Sequence, residues 1–576
     1  MRVLLLHPSD TLPWPTPSER WDLIIDFARA PDSAYENWRR QAGCPLLSLY
    51  QFAEEVGDLR VTRELLQLGT GYLGDHWGID WWDVLSLEIM AELRQLMLVH
   101  RLSKELHRNC ELYATRLHPL ATALQKLLGA RLTFLESNFR AVIRRMRHYH
   151  EAFSHLDTAE LAQVLADKFD SDHSIRRRAA CRTRPTGMPV ILLPSAYLNV
   201  SRVALSYAEQ LPVHQFLLVH ARNNARVAAL PPNVRSASLS PYFVPSDTLE
   251  IASLLDSWSG LRKHLVYGAE EFNMADAMGL LGKIPTLLRW GLALRDAWSR
   301  VLKSENVTAC FSADASNPPS SIPLIMAQKR GLPVLACHHG ALDYQMAIKT
   351  NHADVYLAKS EMERDYLRRI CRLAAEKIVV APRVSSRPPR ALRHSAPWMV
   401  FFTEPYASSG WRSDEVYRDL LPRLCALART CGLKLVFKLH PFESIKGHRK
   451  MLRRLVPQYE RQIEVLAGPP SGQLWNNTRF ALTVQSSTAV ECCALGIPVF
   501  LCAWLRDPWA GYLQQYARFG VGHVLESPDR ISEIPELLAN RGNKSVPQGA
   551  PQKAIALDDL QDLFSGTYSL PVASNG

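Results

Sequence analysis

Short, nearly continuous apolar runs recur along the chain, and between them apolar residues return at the three- and four-residue spacing of amphipathic helices. Such runs suit strands buried on both faces, and their alternation with helical segments is the pattern of an α/β protein with mainly parallel sheets. It predicts strands at Val3–His7, Leu23–Phe27, Val190–Leu193, Phe216–His220, Val307–Phe311, Val334–Cys337 and Val355–Ala358. A second series covers Met399–Thr403, Leu433–Leu439, Phe480–Val484 and Val499–Cys502. Between the series, residues 381–397 (APRVSSRPPRALRHSAP) lack periodicity and are rich in Pro, Ser and Arg, as a linker would be. Helical periods at Arg63–Leu68, Asp83–Leu106, Leu120–Leu128 and Leu156–Phe169 dominate the stretch from about 50 to 180. The expected organisation is an N-terminal domain over 1–385 with a helical insertion at about 50–180, a C-terminal domain over 398–545 and a frayed tail over 546–576.

Composition narrows the class. With 576 residues, 47% hydrophobic and 21% charged, the chain is too apolar for disorder and long enough for several domains. Its 37 prolines and 28 glycines follow no triplet period, and no internal repeat is present, which excludes collagen-like and solenoid architectures. The apolar run Val3–Leu6 is far shorter than the roughly 7 to 15 residues of a signal-peptide core. Trp81–His100 is broken by Asp83, Glu88, Glu92 and Arg94, so it reads as a buried amphipathic helix rather than a span, which needs about 20 apolar residues. Eleven scattered cysteines without a CxxC pair fit reduced thiols in a cytoplasm. The excess of 11 positive charges favours anionic partners: nucleic acid, acidic headgroups or phosphorylated small molecules. The Arg clusters lack interleaved aromatics and no nucleic-acid-binding module is present, so nucleic acid is not an expected partner. An anionic membrane surface is, which places the protein in the cytoplasm and peripherally at the inner face of the plasma membrane.

Several motifs are decoys. Gly69-Thr70-Gly71-Tyr72-Leu73-Gly74 matches GxGxxG, but a helical segment precedes it where a dinucleotide site needs a strand. Asp170-Ser171-Asp172 matches the metal-holding DxD of some transferases yet lies in a basic loop, and reads as a solvated turn. His148, His150 and His155 sit among Arg144, Arg145 and Arg147, whose charge opposes a cation. The basic cluster Arg176–Arg184 reads as a solvated loop. No metal site is expected. Walker A, GxSxG and HExxH patterns are absent, which removes the common nucleotide-hydrolase, esterase and zinc-protease readings.

The informative chemistry lies in the C-terminal series. Residues 432–444, GLKLVFKLHPFES, put Lys438, His440 and Pro441 at the carboxyl end of a strong strand, where open α/β sheets bind ligands. His-Pro occurs also at 7–8 and 118–119, so the pair alone says little; the strand before it and the cation two residues earlier raise the third copy. His440 can donate a hydrogen bond to a phosphate oxygen or protonate a leaving group, against a bland role capping a carbonyl. Residues 480–502 parse as strand, Ser486-Ser487-Thr488, helix, Gly496 and the next strand. Hydroxyls and unpaired N–H groups at that helix start would cradle a phosphate, whereas capping explains only one of the three. Glu491, three residues after Thr488, either completes a capping box or accepts from ribose hydroxyls. Glu404, at the end of the Met399–Thr403 strand, would contact a donor sugar or cap the loop of Ser408, Ser409 and Gly410.

The pair K-L-H-P (438–441) and S-S-T-x-x-E-x-x-x-x-G-x-P-V (486–499), one βα repeat apart, resembles the nucleotide-binding domain of GT-B glycosyltransferases of bacterial surface-polymer assembly. That group includes capsule polysaccharide synthesis proteins, Kdo transferases, polysialyltransferases and CDP-glycerol glycerophosphotransferases, and the likeness runs from Met399 to Trp509. It implies two Rossmann-like domains facing a cleft, with His440, Ser486, Ser487 and Thr488 on the donor phosphates. A weaker match covers residues 307–344, where His338-His339-Gly340 looks like the family's Q/W-H-G sequence, with histidine replacing the usual residue at 338. The segment 352–367, HADVYLAKSEMERDYL, is similar to the family's strand leading to Ser or Thr and a helix. The resemblance implies a metal-independent transfer of sugar from a CMP-, CDP- or UDP-linked donor to a surface polysaccharide or lipid-linked glycan. Asp314 or His339 would be base on the acceptor, or Asp314 a nucleophile; His440 would serve the leaving side, with Glu404, Lys438 and Glu491 also on the donor. A nucleotide-sugar 2-epimerase or a CDP-glycerol-type glycerophosphotransferase would need the same cradle.

Overall fold

In the computed structural model the chain is described over residues 1–10, 20–107, 109–136, 187–222, 227, 229–244, 246–340, 344–381, 396–441, 443–506, 513–541 and 555–566. The DxD at 170–172, the 148–155 histidines, the helix expected at Leu156–Phe169, the basic cluster from Arg176 and most of the 381–397 linker lie outside the described residues.

The α/β expectation holds, and the structure has three parallel sheets rather than two. The first contains β1 (Arg2–Leu6), β2 (Leu23–Asp26), β3 (Leu46–Ser48), β4 (Glu111–Ala114) and β5 (Arg131–Phe134), in the order β3-β2-β1-β4-β5. The second contains β6 (Val190–Ser195), β7 (Phe216–His220), β8 (Val234–Ser238), β9 (Val307–Ser312), β10 (Val334–Ala336), β11 (Val355–Ala358) and β12 (Ile378–Val380), in the order β12-β11-β10-β9-β6-β7-β8. The third contains β13 (Trp398–Phe402), β14 (Lys434–Lys438), β15 (Ile463–Leu466), β16 (Thr478–Thr483), β17 (Val499–Cys502) and β18 (His523–Leu525), in the order β15-β14-β13-β16-β17-β18. Each sheet starts at a central strand, adds two neighbours on one side and then crosses to the other, which is the doubly wound Rossmann order. The strand order therefore reverses at β1/β4, β6/β9 and β13/β16, and ligand crevices of open α/β sheets lie at the carboxyl ends of such strands.

The chain divides into two compact units. Among the described residues one unit holds 1–57, 95–136 and 396–541, and therefore both the first and the third sheet; the other holds 58–94, 187–381 and 555–566, with the second sheet. This grouping departs from an N-terminal domain running over 1–385. The cause is a polar joint inside the first unit. Arg412, ahead of the helix Ser413–Thr430, donates from Nε and Nη2 to both Asp26 oxygens at the end of β2, at 2.9 and 2.5 Å. Its other guanidinium hydrogens reach the carbonyls of His7, Pro8 and Asp10 at 3.0, 3.0 and 2.8 Å, so all five donors are used. A backbone bridge between Arg29 and Trp411 runs alongside, and at Gly410, with φ +78°, a Cβ would run into the Tyr50 hydroxyl. The cores are those of parallel sheets: Leu4, Leu6, Ile24 and Trp38 under the first, and Met399, Phe401, Phe437, Phe480 and Phe500 under the third.

In the second unit the core joins β6, β7 and β9 with residues expected to be a frayed tail. Leu557–Ser565 is a helix that buries Leu560, Leu563 and Phe564, and the Phe564 ring meets Phe311 edge-on with centroids 5.2 Å apart. Apolar residues spaced three apart outweigh the featureless flanks. Phe564→Ala should destabilise this unit by about 3–5 kcal/mol, read as a lower denaturant midpoint, because it opens a cavity beneath the central strands; an unchanged midpoint would mean that the helix does not pack there. The region expected as a helical insertion is mixed: the helices Leu59–Gln67, Trp81–Glu105 and Pro119–Leu128 are present, but β4 and β5 lie among them. The GxGxxG stretch is a turn between the helices Leu59–Gln67 and Trp81–Glu105, whose Gly71 N–H is tied to the Asp80 carboxylate.

Candidate functional site

In the first unit, the β13/β16 reversal gathers the residues singled out in the C-terminal series. Glu404 follows β13 and accepts a hydrogen bond at 2.9 Å from the backbone N–H of Gln485, which follows β16. The carboxylate thus ties together the two loops that flank the reversal point. His440, two residues past β14, donates its backbone N–H to Thr403 Oγ1 and to Glu443 Oε2, both at 3.1 Å, and the Thr403 hydroxyl donates to the same carboxylate. Thr403, Glu443 and Gln485 escape the sequence reading; the signal for Glu443 is its position three residues after His440, the reach-back spacing of a capping box.

Burial, helped by the charge of Lys438, pushes the His440 imidazole down to about 4. At neutral pH it is therefore uncharged and carries one N–H donor, which suits hydrogen bonding to a phosphate oxygen better than protonating a leaving group. Lys438 itself is buried, and its ammonium donates to the carbonyls of Leu439, at 3.2 Å, and Gly468. It anchors the end of β14 and acts on His440 through its charge.

The hydroxyl turn stands at the start of the helix Thr488–Ala494. Ser486 Oγ accepts from the Thr488 N–H and hydroxyl at 3.3 and 2.9 Å, whereas Ser487, at the N-cap position, makes no side-chain cap hydrogen bond. Because the helix begins at Thr488, Glu491 falls one residue beyond the capping-box position and lies half-buried on the first turn. Cys492 is buried, and the Cys493 thiol donates to the Gly520 carbonyl at 3.4 Å.

The second unit holds the other group. Asp314 follows β9 at the β6/β9 reversal and is buried. Its Oδ1 accepts from the Ser316 N–H at 2.7 Å, its Oδ2 from the Asn317 amide, and its own N–H donates to Ser312 Oγ at 3.2 Å. His338 and His339 follow β10, with ring centroids 5.0 Å apart. A ligand atom from each of Asp314, His338 and His339 lies within 4.8 Å of the others. Lys359, after β11, donates to the carbonyls of His338 and Gly340 at 2.8 and 3.0 Å and so fixes the His-His-Gly loop. Ser360 caps the helix Glu361–Arg369, the strand-Ser-helix arrangement that the sequence suggests for 352–367.

Tyr197, Arg222 and Glu88 complete this group and carry no signal in the sequence. The Tyr197 ring lies 6.3 Å from that of His339, and the Arg222 guanidinium sits over it at 5.5 Å. Burial first, and then the charge of Asp314, raises the pKa of the Tyr197 hydroxyl. Burial raises that of the Glu88 carboxyl; Asp314 adds to the effect and Arg222 opposes it. Asp314 beside His339 is a carboxylate–imidazole pair able to accept a proton.

The other two His-Pro pairs lie in the connections that follow β1 and β4. His7 follows β1, His118 precedes the helix Pro119–Leu128, and their rings meet edge-on with centroids 5.0 Å apart. His118 Nδ1 accepts from the Leu120 N–H at 3.2 Å, an N-cap role.

No protein-family model and no curated protein matches the chain. Among solved structures it is similar to TcCGT1 in complex with UDP, at 13% identity and TM-score 0.40, over 66% of this chain and 99% of that one. It is similar to Acinetobacter baumannii MurG at 13% identity and TM-score 0.38, over the same shares of 66% and 99%. A variant of the wall teichoic acid polymerase TagF aligns at 12% identity and TM-score 0.37, over 74% of this chain and 97% of that one. Likeness at this level assigns neither substrate nor activity to the chain.

Proposed function

We propose that the chain is a GT-B-type glycosyltransferase that moves a sugar from a nucleotide-sugar donor to a surface polysaccharide or lipid-linked glycan. The observation that carries the reading is the Rossmann-ordered third sheet, whose β13/β16 reversal joins Glu404 to the Gln485 loop beside His440 and the 486–488 turn. The bond from the anomeric carbon to the donor phosphate breaks, a bond from that carbon to the acceptor oxygen forms, and the acceptor proton passes to Asp314 or His339. The departing phosphate keeps the electron pair. The His440 N–H, the hydroxyls of Ser486, Ser487 and Thr488 and nearby N–H groups stabilise its charge, Lys438 adds positive potential, and Glu491 accepts from ribose hydroxyls. A direct displacement inverts the anomeric centre; a covalent adduct on Asp314 would retain it.

Incubating the purified protein with UDP-, CDP- and CMP-linked donors, with and without a glycan acceptor, tests the reading. Acceptor-dependent release of nucleotide supports it. Conversion of the donor sugar without acceptor would instead mark a 2-epimerase, and transfer of glycerol phosphate a CDP-glycerol-type enzyme.

The depressed His440 pKa gives a pH prediction. A bound phosphate favours the imidazolium, so the pKa in the complex exceeds about 4 and binding takes up a proton. The share of nucleoside-diphosphate affinity that His440 supplies should therefore rise as pH falls towards about 4, and that share of the slope should vanish in His440→Gln. Equal slopes in the two proteins, by calorimetry, would place His440 away from the phosphate.

No described helix is long and apolar enough to cross a membrane. The net charge of +11 supports attraction to the anionic inner face of the plasma membrane, from the cytoplasmic side. Flotation with anionic vesicles at low salt checks it, and failure to float speaks against it.

A further inference from the structure

The loops after β9 and β10 hold three metal-ligating groups, of which the transfer reading uses two, Asp314 and His339, as alternative bases and gives His338 no part. Ligand atoms of Asp314, His338 and His339 all lie within 4.8 Å of one another, and Asp314 and His338 are buried. A tetrahedral ion at about 2.0–2.2 Å from N and O ligands holds them about 3.3–3.5 Å apart. Small side-chain rotations around an ion would close the set to that spacing.

The supports of such a site are already in place. The Ser316 N–H and the Asn317 amide each occupy one lone pair on a different Asp314 oxygen, which orients the carboxylate while each oxygen keeps a second lone pair. Lys359 fixes the histidine loop through the carbonyl oxygens of His338 and Gly340. One carboxylate with two imidazoles suits a first-row divalent ion of the Zn²⁺, Co²⁺ or Mn²⁺ kind; Ca²⁺ and Mg²⁺ favour oxygen ligands throughout.

We infer that Asp314, His338 and His339 bind one first-row divalent cation, with its remaining positions open to water or to an acceptor hydroxyl. The binding of the ion stands apart from the glycosyltransferase reading; any role in activating the acceptor rests on it. In that role the ion would lower the pKa of a bound hydroxyl, as Zn²⁺ does for water, its proton would pass to solvent water, and Asp314 and His339 would act as ligands instead of as free bases. The metal-independent transfer expected from the sequence would then hold for the donor phosphate alone.

The test uses the full-length protein, stripped with chelator, without nucleotide, titrated with Co²⁺. The expected result is one equivalent bound with visible d–d absorption and no thiolate charge-transfer band, which separates this site from the cysteines. His338→Ala and His339→Gln should each weaken binding at least about tenfold. Asp314→Asn, which preserves shape, should do the same if a histidine variant fails to fold. Absence of uptake, equal affinity in the folded variants or a thiolate band would each overturn the inference. Transfer is assayed separately: ion uptake without transfer sinks the glycosyltransferase reading alone, and transfer without uptake sinks the metal site alone.

Discussion

Replacing His440 by alanine should lower transfer by about 10²–10³-fold while leaving the protein folded, the loss expected when one preorganised donor to a developing anion is removed. The fold should survive because the structural hydrogen bonds at this position come from the backbone, whose N–H meets Thr403 and Glu443 in any variant. His440→Gln, which restores a neutral N–H donor, should recover part of the rate. The imidazole pKa of about 4 explains why: the wild-type group works uncharged at neutral pH. Wild-type turnover in the alanine variant would remove His440 from the site, and an equal loss in both variants would show that its role exceeds donating a hydrogen bond.

Arg412→Ala should destabilise the unit that holds the first and third sheets by about 3–5 kcal/mol, because it leaves the buried Asp26 carboxylate without its charged partner. Arg412 and Asp26 have side chains 3% and 0% exposed, which puts this pair in the buried regime where breaking one half is costly. The variant also removes the Arg412 donors from the carbonyls of His7, Pro8 and Asp10. Asp26→Ala should cost a similar amount, and the double replacement Asp26→Leu with Arg412→Met should cost much less than the sum. Urea unfolding followed by tryptophan fluorescence checks this, with Trp38, whose ring lies 5.9 Å from the Arg412 guanidinium, among the reporters. Additive losses in the double variant would show that the two residues stabilise the unit separately.

Much of the fold is legible in the sequence because the central strands of parallel sheets must be apolar on both faces. Val190–Ser195, Phe216–His220 and Val499–Cys502 are buried at every position, and such runs stand out. Strands further out carry weaker patterns: β8 (VRSAS) buries one residue of five, β15 (IEVL) alternates, and β12 and β18 have three residues each. The grouping of the first sheet with the third rests on a contact across 386 positions, which no local pattern announces.

The candidate site divides in the same way. His440, Glu404 and the 486–488 turn follow strands that are easy to find, so their place at a carboxyl edge could be reasoned forward. Lys438 could not, because its ammonium turns to the Leu439 and Gly468 carbonyls through packing that depends on β15. Nor could Tyr197, Arg222 and Glu88, which reach Asp314 and His339 from three separated parts of the chain. Position 338 departs from the family-like pattern, and it is the departure that supplies the third metal-ligating group.

The most direct test of the central claim, a nucleotide held at the carboxyl edge of the third sheet, is calorimetric titration of the full-length protein with UDP, CDP and CMP, paired with thermal unfolding. At about 100 times its Kd, the nucleotide that belongs to the donor should stabilise the protein by about 2.7 kcal/mol and raise its midpoint. His440→Ala should bind it more weakly. No binding of any of the three, or binding of equal strength in the His440→Ala protein, would contradict the account.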